Sequence, residues 1–368
     1  MSDDAGSAVG VNGQIDPDQL GVTSAHEHTF IDMRNWFLMP ETAEERRLAE
    51  EPVSLENLWY LRRNPTNNRD NYLLGSTDVA IDELAEFYRA GGETIVDVTP
   101  KGIGQDPRRV REISRATGIQ FVHGTAYYVR NSHPDRVAAA SAADLEEEFV
   151  SDVREGIDGT DVRAGIIGEI GLSTDSEGEM YPQEEKVLRA AARAAVRTGA
   201  PLTIHPPGWT EAAQRDRTYP TSRWALEVLD IVEETGLDPG RVVMDHMDRS
   251  LYEDLDYQKE LASRGPYLEY DIWGAEFYRD EYNDGFPSDR WRIEAVSELV
   301  DAGYLSQLLF AQDICQKLQL RKYGGFGYAH LLRNVVPMLR EHGFSQDQLD
   351  TILIDNPKRM LTFDPPEE

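Results

Sequence analysis

The sequence predicts a single (β/α)8 barrel over residues 1–368. Short β-branched runs alternate with helix-patterned segments along the chain, which argues for a parallel sheet covered by helices. Eight such units in one chain argue for closure into a barrel. No Gly-rich phosphate fingerprint follows any strand, so a doubly wound open sheet is the weaker alternative. No linker and no internal repeat divides the chain.

Residues 1–20 are rich in Gly and Asp, and Val9 to Ile15 around Asn12-Gly13 reads as a small hairpin. The first strand runs from Gly21 to His28. Residues 31–78 form a long charged connection with Trp36, Trp59 and Tyr60, and a structureless loop of that length is improbable, so helical pieces are expected. Asp82 to Arg89 is a helix stopped by Gly91-Gly92. The second strand is Glu93 to Thr99. A helix from Asp106 to Thr117 stops at Gly118 before the third strand, Ile119 to Gly124. Asp144 to Gly156 is a helix, and Arg163 to Ile170 is strand four. The Ala-rich helix Gln183 to Arg197 precedes strand five, Pro201 to His205. The helix Arg223 to Glu234 precedes strand six, Arg241 to His246. The helix Leu255 to Ser263 precedes strand seven, Tyr267 to Asp271. The helix Asp289 to Ala302 precedes strand eight, Leu308 to Asp313. From Tyr328 onward the pattern is helical.

The formal net charge is −30, a surface that repels nucleic acid and anionic membrane. Lysine is confined to Lys101, Lys186, Lys259, Lys317, Lys322 and Lys358. Acidic excess with scarce lysine suits a halophile, whose carboxylates hold a hydrated surface in concentrated salt. The apolar runs are too short to span a bilayer, and the polar start Met1-Ser2-Asp3-Asp4 is not a signal peptide, so a cytoplasmic protein is expected. Cys315 is the single cysteine, which excludes an internal disulfide and a thiolate cluster. Any metal must be held by His, Asp and Glu.

Barrel enzymes carry their chemistry at the C-terminal ends of the strands. Here those ends bear His26 and His28 on strand one, Glu169 on four, His205 on five, His246 on six and Asp313 on eight. Residues two apart on a strand share a face, so His26 and His28 converge while Glu27 points away. Four imidazoles and two carboxylates are enough for two cation sites with a shared bridge. Two cations about 3.5–4 Å apart polarise an electrophilic oxygen and lower the pKa of a water between them. Each ligand alone has a plainer reading, as a packed histidine or a helix-capping carboxylate; their joint placement argues for a site. His123, His133, His330 and His342 lie off this pattern and read as packing or surface residues.

Several stretches together resemble the phosphotriesterase-like metallohydrolases of the amidohydrolase superfamily, in its glutamate-bridged branch. They are Gly21 to His28, Ile95-Val96-Asp97-Val98-Thr99, Gly124-Thr125-Ala126-Tyr127-Tyr128, His246-Met247-Asp248-Arg249 and Asn356-Pro357-Lys358-Arg359. The resemblance runs from Gly21 to Phe363. It implies a binuclear centre, with His26, His28 and Asp313 on the buried ion and His205 and His246 on the exposed one. Glu169 stands where the best-studied members have a carboxylated lysine, and no lysine is near it. Two divalent ions are expected, zinc first, with Mn2+, Co2+ or Fe2+ as alternatives.

The resemblance implies a hydrolase in which a water between the ions attacks a polarised carbonyl, with Asp313 as the general base. A lactone or other small ester is the expected substrate. A phosphotriester or an N-acyl amide is the alternative, and a barrel that uses metal only for stability is the non-enzyme alternative. Lactonase members carry Asp-Arg-Tyr-Gly after strand seven, where this chain has Asp271-Ile272-Trp273-Gly274. They also flank the strand-eight Asp with His and Tyr, where this chain has Gln312 and Ile314; Cys315 matches and reads as pocket wall. Tyr127, Tyr128, Arg249 and Trp273 are the expected substrate contacts, with Phe277 and Tyr278 beside Trp273 at the mouth. The expected partner is a small molecule, and a homodimer or other homo-oligomer is expected.

Overall fold

A computed structural model describes residues 4–175, 177–207, 224–250, 255–279 and 284–365. Eight parallel strands form one sheet in sequence order: β1 (Thr23–Glu27), β2 (Thr94–Asp97), β3 (Gln120–Thr125), β4 (Ile166–Gly171), β5 (Leu202–His205), β6 (Val242–Met244), β7 (Tyr267–Tyr270) and β8 (Leu308–Phe310). The Asp313 N–H donates to His26 O at 3.3 Å, which draws the β8 end against β1 and nearly closes the ring.

Seven helices follow the first seven strands: α1 (Thr77–Arg89), α2 (Pro107–Thr117), α3 (Ala142–Arg154), α4 (Pro182–Thr198), α5 (Trp224–Glu233), α6 (Asp256–Ser263) and α7 (Asp289–Asp301). Ser76, Asp106 and Ser141 cap α1, α2 and α3, each accepting from a backbone N–H of the first turn. The Ser76 cap explains why α1 begins at Thr77 rather than at the expected Asp82. The expected start of α5, at Arg223, lies outside the described residues. α4 buries Ala190, Ala191, Ala192, Ala194 and Ala195, and these small side chains let its backbone approach the sheet closely.

The bottom of the barrel is closed by the two ends of the chain. Ala8–Gly10 pairs with Gly13–Ile15 as the expected hairpin. Val11 N–H donates to Phe121 O, and Phe363 N–H donates to Ser7 O. The tail runs through Leu331–Val335, Val336–Glu341 and Gln346–Asp350 to Asn356–Leu361. There the Asn356 amide donates to the carbonyls of Leu305 and Leu308 under β8.

The long connection after β1 is folded. It holds a helix at Ala43–Glu50, a helical turn at Leu58–Leu61, and a strand pair joining Ile31–Asp32 to Leu73–Leu74. It packs over the open end of the barrel, where Phe277 joins Leu58, Tyr60, Leu61 and Leu318 in an apolar cluster. No helix among the described residues is long and apolar enough to cross a membrane.

Candidate metal centre

Two of the strands break register where the site begins. The β1–β2 ladder shifts between Ser24 and Glu27, and the β4–β5 ladder shifts between Ile167 and Ile170. An irregularity of this kind bends a strand and re-aims its side chains. His26 lies within the first shift and Glu169 within the second. Gly168 makes the second possible: its φ is +127°, and a Cβ there would lie 2.3 Å from Thr203 O. His246 and Asp313 follow the ends of β6 and β8 with φ of 58° and 45°. Such left-handed backbone costs a non-glycine residue on the order of 1–3 kcal/mol and persists only where neighbours hold it. The Asp271 carboxylate accepts the His246 N–H at 3.0 Å. The Glu27 carboxylate, turned away from the centre, accepts the N–H groups of Gln312 and Ile314, one on each side of Asp313.

The six residues singled out at the strand ends converge on one point. Glu169 stands between two pairs of histidines. Its Oε1 lies 2.8 Å from His205 Nδ1 and 3.2 Å from His246 Nε2, while its Oε2 lies 3.9 Å from the Nε2 atoms of both His26 and His28. Asp313 Oδ1 lies 3.3 Å from His28 Nε2 and 4.0 Å from His26 Nε2. His205 Nδ1 and His246 Nε2 are 2.8 Å apart. One carboxylate oxygen thus faces each pair of imidazoles, the arrangement a bridging ligand needs.

The outer nitrogens of three of these histidines have partners of their own. His26 Nδ1 lies 3.0 Å from Glu269 Oε2, His28 Nδ1 lies 2.8 Å from Thr99 Oγ1, and His246 Nδ1 lies 2.8 Å from Asp271 Oδ1. An acceptor at Nδ1 keeps the proton there and leaves the Nε2 lone pair pointing inward. Burial lowers His26 to about 3, and burial followed by the charge of Arg249 holds His205 and His246 well below the usual imidazole range. Neutral imidazole is the form that ligates a metal. Burial, then the charges of Asp245 and Asp313, push Glu169 well above the usual carboxylate range. His26 Nε2 is buried and has no hydrogen-bond partner among the described residues. Imidazoles and buried carboxylates brought together in this way fit divalent cations, both at His26, His28 and Glu169 and at Glu169, His205 and His246.

Glu269, Asp271 and Thr99 were not singled out from the sequence. A signal was present: Glu269 and Asp271 are carboxylates two apart on an otherwise apolar strand, hence on one face. With Asp245 they form a buried acidic group around His26 Nδ1. Burial pushes Asp245 up to about 7, and burial followed by the charges of neighbouring carboxylates pushes Glu269 and Asp271 well above the usual carboxylate range.

A cavity of about 290 Å³ opens above the centre. His28, Glu169, His205, His246 and Asp313 form its floor, and Tyr128, Arg249 and Cys315 stand in its wall. The Tyr128 hydroxyl is 3.3 Å from His205 Nδ1. Burial, then the charge of Asp313, push the Cys315 thiol up, which suits wall rather than nucleophile. Two expected substrate contacts lie elsewhere. Tyr127 points to the opposite side of the chain from Tyr128, is fully buried, and donates from its hydroxyl to Glu148 Oε1 at 2.8 Å. Trp273 packs edge-on against Phe310, with ring centres 5.1 Å apart, and lines a second cavity beyond the strand-seven loop. Phe277 reaches the main cavity, while Tyr278 is 40% exposed and does not. Of the four remaining histidines, His133 bonds to the Tyr128 carbonyl, His330 bonds to Asp289, His123 is buried beside Asp97, and His342 is exposed.

The family model for the phosphotriesterase family matches residues 7–361. An N-acetyltaurine hydrolase of Danio rerio is 39% identical over 366 residues, covering 99% of this chain and 100% of that protein. Among solved structures, a resiniferatoxin-binding protein from Rhodobacter sphaeroides superposes with a TM-score of 0.91 at 41% identity, covering 98% of each chain. A lactonase from Listeria monocytogenes superposes at 0.76 with 26% identity, covering 98% of this chain and 100% of that one.

Proposed function

The chain belongs to the phosphotriesterase family, and on that premise we propose that it hydrolyses N-acyl amides whose amine half carries an anionic group. One observation carries the reading. Arg249 is the one Arg or Lys among the described residues that line the cavity, and it stands beside the histidine–carboxylate floor. The N-acetyltaurine hydrolase, related over its full length, acts on an amide of this kind by its name. The lactone expected from the sequence is the second reading, supported by the more distant lactonase.

In this reading His26, His28, Glu169, His205, His246 and Asp313 would hold two divalent ions. Zinc suits the imidazole-rich donors. When bound, the ions supply Lewis-acid polarisation of the acyl carbonyl and a water of lowered pKa. Asp313 accepts the proton of the attacking water on its carboxylate and returns it to the departing amine nitrogen. The carbonyl carbon gains a C–O bond and loses its C–N bond, and the products are a carboxylate and an amine. Arg249 pairs with the anion of the amine half and so fixes the scissile bond over Asp313. Tyr128 bounds the same space from the β3 side.

The test is a substrate panel containing N-acetyltaurine, N-acetyl-β-alanine, an uncharged N-acetylalkylamine and simple γ- and δ-lactones. The anionic amides should be cleaved best. Arg249→Ala should raise KM for them at least tenfold and narrow their advantage over the uncharged amide. Faster turnover of lactones than of every amide would overturn the amide reading.

A further inference from the structure

The cavity is far larger than an acetyl group needs. The cavity measures about 290 Å³, room for roughly ten groups of the size of a water molecule at about 30 Å³ each, and it holds the amine half as well as the acyl group. Beyond the space for the amine half, much of the surplus is bordered by apolar side chains. Away from the floor and Arg249, the apolar part of the wall includes Met33, Trp36 and Leu38 of the connection after β1, Ala275 and Phe277 of the strand-seven loop, and Phe286.

This wall is preformed. The Trp36 ring packs edge-on to Tyr128 with centres 6.4 Å apart, and Phe277 packs edge-on to Phe286 at 6.1 Å. Polar side chains also border it: the Asn35 amide donates to Asn131 Oδ1, the Gln319 side chain spans the Cys315 and Gln316 N–H groups and the Asp313 carbonyl, and Asn35 Oδ1 and Trp36 Nε1 are buried without a hydrogen-bond partner among the described residues. Leu38 is 42% exposed although it faces the cavity. An apolar surface held open above a reactive floor is the usual form of a site for an apolar ligand.

Resting on the amide reading above, we propose that the preferred substrates carry an apolar acyl group larger than acetyl, of about the size of a hexanoyl or phenylacetyl group. The anionic amine half lies at Arg249, the scissile carbonyl lies over Asp313, and the acyl chain lies along Trp36, Leu38 and Phe277. Each methylene that leaves water for such a wall is worth about fourfold in affinity at full burial. Part of that gain is spent on ordering the chain, so the net preference for hexanoyl over acetyl should be at least tenfold.

The experiment compares N-acetyl-, N-butanoyl-, N-hexanoyl- and N-phenylacetyltaurine with the zinc-loaded enzyme. In parallel, the binding of the ketone isostere of each amide, which cannot be hydrolysed, is measured by calorimetry. Both kcat/KM and isostere affinity should rise from acetyl to hexanoyl. Trp36→Ala should lower the hexanoyl-to-acetyl ratio. Ala275→Phe, which fills the wall, should invert it; if that variant does not fold, the Trp36→Ala ratio decides. Acetyltaurine cleaved best, with affinity flat or falling along the series, would overturn the acyl assignment and leave the amide reading standing. Cleavage of none of the four, with lactones turned over, would overturn the amide reading and this inference with it.

Discussion

Asp313 carries the proton in the proposed reaction, and replacing it separates chemistry from binding. Asp313→Asn keeps the size and one oxygen ligand but cannot accept a proton. Loss of a general base typically lowers the rate by about 10²–10⁴-fold. The variant should therefore retain much of its metal while kcat falls by that factor and KM moves little. Steady-state kinetics and metal content on one preparation decide the matter, and a kcat within about threefold of the parent would send the proton elsewhere. Glu269 should act at one remove, through His26. Glu269→Gln leaves the Nδ1 contact of His26 without its carboxylate, and loss of such an outer partner typically weakens metal binding about 10–100-fold. Competition with a chelator of known affinity measures that shift, and unchanged affinity would leave Glu269 as packing alone. The residues at the strand ends were legible in the sequence because four histidines and two carboxylates fall together at the ends of five strands, although each alone has a plainer reading. Glu269 and Asp271 were not, because one face of a buried strand cannot be told from the other until its neighbours are known. Tyr127 and Trp273 lie outside the cavity lining for a related reason: alternation sends Tyr127 away from its neighbour Tyr128, and the strand-seven loop folds Trp273 onto Phe310.

The order of the elements was readable throughout, and the ends of the strands were not. β6, β7 and β8 leave the ladder at Met244, Tyr270 and Phe310, before the residues expected to finish them. His246 and Asp313 then take left-handed backbone, which no pattern of apolar residues announces. The register shifts at His26 and Glu169 are equally silent in the sequence. Gly168 is the element-scale test of the second shift. Gly168→Ala would drive a methyl into Thr203 O and force a left-handed backbone onto a side chain. Overpacking of this kind costs roughly 1–3 kcal/mol. Chemical denaturation should register that loss, together with reduced metal content as Glu169 is displaced. A variant as stable and as metal-rich as the parent would mean that the β4 shift does not position Glu169.

At the scale of the whole molecule, the net charge of −30 is the dominant feature of the surface. Self-repulsion of a strongly charged chain destabilises the compact state. The Debye length falls from about 30 Å at 0.01 M to about 3 Å at 1 M salt, so the repulsion fades as salt is added. The melting temperature should climb steeply from dilute buffer to molar potassium chloride, and a flat profile would remove the halophile reading. The barrel brings six ligand side chains from five strands to one point, with a carboxylate oxygen turned to each pair of imidazoles. Elemental analysis of gently purified protein, paired with N-acyltaurine turnover before and after chelation, tests this centre most directly. Two divalent ions per chain are expected, with turnover lost in chelator and restored by zinc. A reproducible content near zero, with turnover intact in chelator, would contradict a two-ion hydrolase joined by Glu169.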